Sequence, residues 1–364
     1  MLVFVLGTTA ELIKLRPVVD RCTDKTDQIE IWCTAQQYSE LITLPDVVAY
    51  LSSHKTRWLT HGFFQRSISR AWHVPIWALS ASIGFLRSAF KNRKNRHTTT
   101  VLVHGDTMTT ALGAVLARSM KYRVGHIEAG LRSGDWRNPF PEEICRRIVG
   151  RIADLHFAPN DTAASNLSES RGEVIVTDGN TAVDNLPSAH EDPGTRSELR
   201  DVLVLLHRVE FLGDADTTRD TLLALTVAAR DERINFVVDS LANKYLSGRP
   251  EYNAFARHPN VRIIAKLPHA QFLELLLRSR VVVTDSGGVQ EESAALGVPC
   301  IVHRVVSERP DGLRPGGNAV LTGMRTSVLV ECLQNPPNAT VPRSTARSPS
   351  DVIVNELSRR RLIG

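Results

Sequence analysis

Residues 281–304, VVVTDSGGVQEESAALGVPCIVHR, read as a β-branched strand, a Ser-Gly-Gly turn, a helix of small residues and a second apolar strand. Strands that are apolar throughout, joined by a helix, belong to a parallel sheet buried on both faces. The turn has the layout of a phosphate cradle. Ser286 and the amides of Gly287 and Gly288 lie at the positive end of the helix that follows.

The same alternation extends in both directions. Upstream of this stretch lie DVLVLLH (201–207), INFVVDS (234–240) and VRIIAKL (261–267). Earlier still come LVFVL (2–6), IEIWC (29–33), TTVLVHG (99–105), YRVGHIE (122–128), LHFAP (155–159) and EVIVTD (173–178). Between the two series runs PSAHEDPGTRSELRD (187–201), a polar stretch with Pro and Gly that marks a boundary. The expectation is therefore α/β, with two Rossmann-like domains over 1–186 and 187–348 and a cleft between them.

Composition narrows the class. The 364 residues exceed one ordinary core, and 42% hydrophobic with 23% charged residues is typical of a globular protein. No apolar run reaches the roughly 18 residues of a membrane span, so a soluble, cytoplasmic protein is expected. The apolar start, MLVFVL, has no basic residues before it and runs into a Gly-Thr-Thr turn, which suits a buried strand better than a secretion signal. Five scattered cysteines without a CxxC pair indicate neither disulfides nor a zinc site. A net charge of +5 fits a protein that handles anions. Five cations gather in RSAFKNRKNRH (87–97), directly after the apolar WHVPIWALSASIGFL (72–86). That segment reads as an amphipathic helix with a solvated basic end, or as a surface for acidic lipid or another anionic partner. No spacing typical of a nucleic-acid-binding module accompanies it.

Ligands of open parallel sheets bind beyond the carboxyl ends of the strands, and polar residues cluster there. Gly7-Thr8-Thr9 forms a tight turn whose amides could meet an anion, unless Thr simply caps the helix. HGDTMTTALGA places Asp106 after one strand, as a functional carboxylate or as an N-cap. GHIEAGLRSGDW places Glu128 after the next, where a buried carboxylate needs a cationic or hydrogen-bonding partner. NPFPEEICRR carries Glu142, Glu143, Arg146 and Arg147 onto the first turns of a helix, with each Glu four residues before an Arg. In the second half, His207 and Arg208 end the first strand. Glu308 and Arg309 lie on a loop, a carboxylate suited to ribose hydroxyls beside a cation suited to phosphate.

The ordered series GTTAELIK, HGDTMTT, GHIEAGLRSGD, PFPEEICRR, DGNTAVD, LHRVE, TDSGGVQEE and SERPDG resembles the UDP-N-acetylglucosamine 2-epimerases, in register over residues 3–323. The resemblance implies the GT-B fold, with UDP held mainly by the second domain and a C-terminal helix, here 349–360, crossing back to the first. It also implies site residues. Lys14, Asp106, Glu128, Glu142, Arg146 and His207 would line the sugar side, and Ser286, Gly287, Gly288, Glu292 and Glu308 would hold UDP. The implied reaction inverts C2 by anti elimination of UDP, through a 2-acetamidoglucal, followed by re-addition or hydrolysis. Asp106, Glu128 and Glu142 are the candidates for acid and base, without assignment to a face. His207 and Arg146 would steady the leaving group. No metal or redox cofactor is implied, and a homodimer is.

The chain departs from the family pattern at several positions. Thr9 and Val209 stand where the family has Arg, Gln37 where it has His, Cys145 where it has Asn, and no Tyr stands near His269. Arg304 or Arg309 could stand in for the missing cations. An acceptor-dependent GT-B glycosyltransferase acting on a UDP-sugar, or a non-catalytic UDP-sugar sensor, are the competing readings.

Overall fold

The computed structural model describes residues 1–61, 68, 72–136, 139–186, 201–309, 312–340 and 347–363. The polar boundary stretch falls almost wholly outside the described residues. The chain divides into two compact units, Met1–Asn185 with Thr345–Gly364, and Leu186–Ser344.

The first unit is built on a parallel seven-stranded sheet. Its strands are β1 (Leu2–Leu6), β2 (Ile29–Cys33), β3 (Thr56–Trp58), β4 (Thr100–His104), β5 (Arg123–Ile127), β6 (Leu155–Ala158) and β7 (Glu173–Val176). Their order across the sheet is β3-β2-β1-β4-β5-β6-β7. β1 shows why the strands are apolar without alternation. Leu2, Phe4 and Leu6 enter a core on one face, while Val3 and Val5 enter another on the opposite face. Both faces are covered by helices, so each position gains about 1.5–3 kcal/mol from burial and none faces water. The helix Pro349–Arg359 places Ile353, Val354 and Leu357 in the same core as Leu2 and Phe4. Its first turn is held by Ser350 N–H donating to Asp184 at 2.8 Å.

The second unit repeats the plan with six parallel strands. They are β8 (Asp201–Leu205), β9 (Arg233–Val238), β10 (Val261–Ala265), β11 (Val281–Thr284), β12 (Cys300–Val302) and β13 (Ala319–Leu321), in the order β10-β9-β8-β11-β12-β13. Val202 and Val204 face one core and Leu203 the other. The strands read from sequence are present, with ends that coincide or differ by one or two residues. β3 and β13 are additions, because three-residue edge strands, half-buried, carry too little periodicity to be seen.

In each sheet the strand order reverses once, between β1 and β4 and between β8 and β11. Those are the topological switch points, where loops after neighbouring strands part and leave room for a ligand.

Candidate active site

At the first switch point one carboxylate ties the loops together. Glu11 is buried, and its Oε2 accepts from Gly7 N–H at 2.8 Å, Thr8 N–H at 2.9 Å and Thr8 Oγ1 at 3.0 Å. Its Oε1 accepts from Thr107 Oγ1 at 2.6 Å and Thr110 Oγ1 at 3.1 Å. Burial raises its pKa, and these hydrogen bonds work against the rise. Thr8 and Glu11 also form a reciprocal capping box on the helix Thr9–Thr23. Of the two readings of the Gly-Thr-Thr turn, the structure shows the cap: Thr8 caps the helix, and the amides of Gly7 and Thr8 are taken by the chain's own Glu11. Gly7 is required sterically, since a Cβ there would lie 2.1 Å from Thr109 Oγ1 and 2.3 Å from Thr34 Oγ1.

The carboxylates singled out by sequence lie beyond β4 and β5. Glu128 is buried, with Oε2 2.5 Å from Lys14 Nζ and 3.2 Å from His104 Nε2. The partner that a buried Glu128 demands is therefore Lys14, reaching from the helix after β1. Glu128 has φ of +62°, a left-handed conformation that costs a non-glycine residue roughly 1 kcal/mol or more. The chain holds it there at the strand end, where it aims its carboxylate at Lys14.

Asp106 pairs with the buried guanidinium of Arg146. It does not cap the following helix; Thr107 does, accepting from Thr110 N–H. Arg146 lies on the helix Glu142–Ile152, and Glu143 of the same helix organises the surrounding arginines. Fully buried, Glu143 sits 3.0 Å from Arg147 Nε and 3.8 Å from both Arg132 Nε and Arg146 Nη1. Sequence spacing foresees the Glu143–Arg147 contact, but not that Glu143 serves three arginines from two segments. Cys145 precedes Arg146 on the same helix. Burial, then the charges of Asp106 and Glu142, push its thiol up to about 12. Asp106, Glu142 and Cys145 thus share one electrostatic environment, with Glu142 half-buried at the helix start.

At the second switch point Asp285 plays the tying role. It accepts from His207 N–H at 2.9 Å and Arg208 N–H at 2.8 Å, fixing the loop after β8 against the end of β11. The His207 ring lies 3.2 Å from Asp239 Oδ2 through Nδ1. Burial opposes its protonated form, but Asp239 and Asp285 outweigh this and raise the pKa above the ordinary histidine value. Asp239, Asp285 and Glu11 are the supporting residues that sequence reasoning missed. A usable signal existed for two of them, since VVD at 237–239 and VTD at 283–285 repeat the strand-then-Asp pattern of HGD at 104–106.

The Ser-Gly-Gly turn opens the helix Gly287–Leu296. Ser286 occupies the N-cap position, yet its hydroxyl makes no capping bond. Gly287 packs under Arg309, and a Cβ there would lie 2.2 Å from Arg309 Nε; Gly288 meets only Ser286 Oγ, at 3.9 Å. Glu308 is buried among three guanidiniums, at 2.9 Å from Arg304, 3.7 Å from Arg309 and 3.9 Å from Arg208. Arg309 also pairs with Glu291, and Glu292 contacts His269 Nε2 at 2.8 Å. Arg304 and Arg309 are therefore already engaged by carboxylates. Arg208, Arg304 and Arg309 thus meet Glu308, Glu291 and, at 3.9 Å from Arg208, Glu210, so three guanidiniums gather here with carboxylates of the chain's own beside them. Val209, by contrast, is exposed and contributes no charge.

The family described as UDP-N-acetylglucosamine 2-epimerase matches residues 82–350 of the chain. The UDP-N-acetylglucosamine 2-epimerase of Methanocaldococcus jannaschii is 31% identical over 349 residues, covering 91% of this chain and 90% of that protein. The enzyme of the same name from Bacillus subtilis is 37% identical over 231 residues; that match spans 59% of this chain and 58% of the relative's length. The crystal structure of the M. jannaschii protein in complex with UDP-GlcNAc and UDP superposes with a TM-score of 0.78 at 27% identity, covering 99% of each chain.

Proposed function

The chain belongs to the UDP-N-acetylglucosamine 2-epimerase family, and we propose that it inverts C2 of UDP-N-acetylglucosamine by elimination and re-addition of UDP. The observation that carries this reading is the carboxylate set of the first unit. Glu128 is held by Lys14, Asp106 is held by Arg146, and Glu142 shares the environment of Asp106 around Cys145.

The chemistry needs such a set. The C2 proton of the sugar is not acidic on its own, so its removal must accompany weakening of the C1–O bond. One carboxylate takes the C2 proton as the C1–O bond breaks, and UDP leaves with the bonding electrons. A double bond forms between C1 and C2. UDP then adds back to C1 while a proton is delivered to the opposite face of C2; addition of water instead would release free sugar. Asp106, Glu128 and Glu142 supply the acid and base functions in this reading. Ser286, the amides of Gly287 and Gly288, and the arginines around Glu308 stabilise the departing diphosphate, and the His207 ring, oriented by Asp239, donates a further hydrogen bond. Association as a homodimer comes with the family and is measured by light scattering.

A second reading has its own observation. Thr9 and the exposed Val209 supply no cation, and each lost charge-assisted contact to phosphate is worth about 1.5–3 kcal/mol. A weaker hold on departing UDP would suit transfer of the sugar to an acceptor. Incubation with UDP-N-acetylglucosamine alone, followed by chromatography of the nucleotide sugars, separates the two. Appearance of UDP-N-acetylmannosamine is expected; substrate that remains unchanged until an acceptor is added would overturn the epimerase reading.

A further inference from the structure

The helix His73–Lys91 has two apolar faces, of which the sheet covers one. Trp77, Ala81, Phe85 and Ala89 are buried, with Phe85 and Ala89 in the core that contains Val3 and Val5. On the opposite side Trp72, Ile76, Leu79, Ile83, Leu86 and Phe90 follow one another at alternating steps of four and three residues. At 100° per residue these six fall within one narrow stripe. Four of them are strongly exposed: Trp72 at 54%, Leu79 at 64%, Ile83 at 43% and Phe90 at 62%. Single exposed apolar residues are ordinary, but a continuous stripe of large ones marks an interaction surface.

Charge indicates what covers it. Arg87 and Lys91 are exposed along one margin of the stripe, and Arg93 is exposed just beyond its C-terminal end. From Val47 to Gly105 the chain contains no Asp or Glu at all. Among the described residues the acid at this end of the helix is Glu30, 3.4 Å from Asn92; it is buried and already bound by Lys55 at 2.5 Å and Arg57 at 2.7 Å. A second copy of the same face would bring cations toward cations with no local acid to receive them. An anionic bilayer satisfies both halves of the surface: Trp, Leu, Ile and Phe enter the boundary between headgroups and acyl chains, and the cations meet lipid phosphates. Among the described residues no helix is long and apolar enough to cross a membrane, so the geometry is that of a helix lying on the surface.

We propose that the face formed by Trp72, Leu79, Ile83, Phe90, Arg87 and Lys91 docks this protein on membranes containing anionic lipid. The inference does not depend on which sugar chemistry the protein performs.

The full chain is sedimented with vesicles of phosphatidylcholine alone and with vesicles of phosphatidylcholine and phosphatidylglycerol in equal parts. Binding to the anionic vesicles, weakened by salt, is expected. The double variants Leu79→Asp/Ile83→Asp and Arg87→Glu/Lys91→Glu should each lower the partition coefficient at least about tenfold, with UDP affinity unchanged. All four side chains are exposed, and retained UDP binding verifies that each variant is folded. No binding to anionic vesicles, or equal binding to both kinds, would overturn the proposal. So would a wild-type dimer in light scattering that Leu79→Asp/Ile83→Asp converts to monomer, since the stripe would then be a contact between copies.

Discussion

The two switch points solve the same mechanical problem with unequal means. After β1 and β4, Glu11 gathers two amides and three hydroxyl hydrogen bonds from Thr8, Thr107 and Thr110. After β8 and β11, Asp285 gathers the two amides of His207 and Arg208. Beyond these ties the chemistry diverges. The first unit gives carboxylates their own cations, Lys14 for Glu128 and Arg146 for Asp106, and so keeps several acidic groups in place. The second unit gathers Arg208, Arg304 and Arg309 around Glu308, with Glu291 also on Arg309. One sheet plan thus carries different groupings of charge at its two switch points, because loop residues rather than strand residues set the charge.

The division of labour is broken most forcefully at the carboxylates. Asp106→Asn or Glu142→Gln should lower turnover by about 10²–10⁴-fold while UDP affinity, measured by calorimetry, changes little. Parallel loss of both quantities would mean that these groups hold the structure rather than perform chemistry. The ties themselves come next. Glu11→Ala leaves two buried amides and the Thr8 and Thr107 hydroxyls without their Glu11 acceptor, while Thr110 keeps the His104 carbonyl at 2.5 Å, and should cost about 3–5 kcal/mol in urea denaturation. Asp285→Ala should cost less, about 2–4 kcal/mol, because it strands only two amides. The reverse ranking would contradict the view that Glu11 is the larger tie.

Smaller effects sharpen the second unit. Ser286→Ala should weaken UDP binding by roughly fivefold to tenfold, the value of one hydrogen bond to a charged group, without lowering thermal stability. An unchanged UDP affinity would remove Ser286 from the phosphate site. Histidine titration offers the last distinction. His207, with its pKa raised, contributes stability that is present below the ordinary histidine pKa and lost as pH rises through the raised value. Burial instead lowers His156 and His303 to about 4, so both destabilise the fold as pH falls from 6.5 toward 4. NMR titration of the ring protons should find His207 above 6.5 and the other two still neutral at pH 5; a His207 that titrates below 6.5 would dissolve its pairing with Asp239.

The sheets were legible because strands buried on both faces are apolar at every position, as β1 is throughout and β8 is from Val202 onward. β3 and β13 were not, since three half-buried edge residues leave no pattern. At the site, Glu128 announced its need for a partner, but Lys14 lies 114 residues earlier in the chain, a distance that periodicity cannot bridge. The Gly-Thr-Thr turn left an anion site and a Thr cap open, and the structure shows the cap. Its amides suit an anion, and the anion is a carboxylate one helical turn further on. Glu143 was visible as the partner of Arg147 by spacing alone and lies three residues before Arg146 on the same helix, whereas its contact with Arg132 depends on how the loop after β5 folds back over the helix. Local pairing follows from sequence steps of three or four; convergence from separate strand ends does not.

The central claim concerns one bond, the C2–H bond of the sugar. Proton NMR of the purified protein with UDP-N-acetylglucosamine alone in D2O follows it directly. Loss of the C2 proton signal by exchange with solvent, accompanied by a product inverted at C2, is the predicted result. Tight UDP-sugar binding with the C2 proton retained and no inverted product would contradict it, and would place the carboxylates of the first unit in a different reaction.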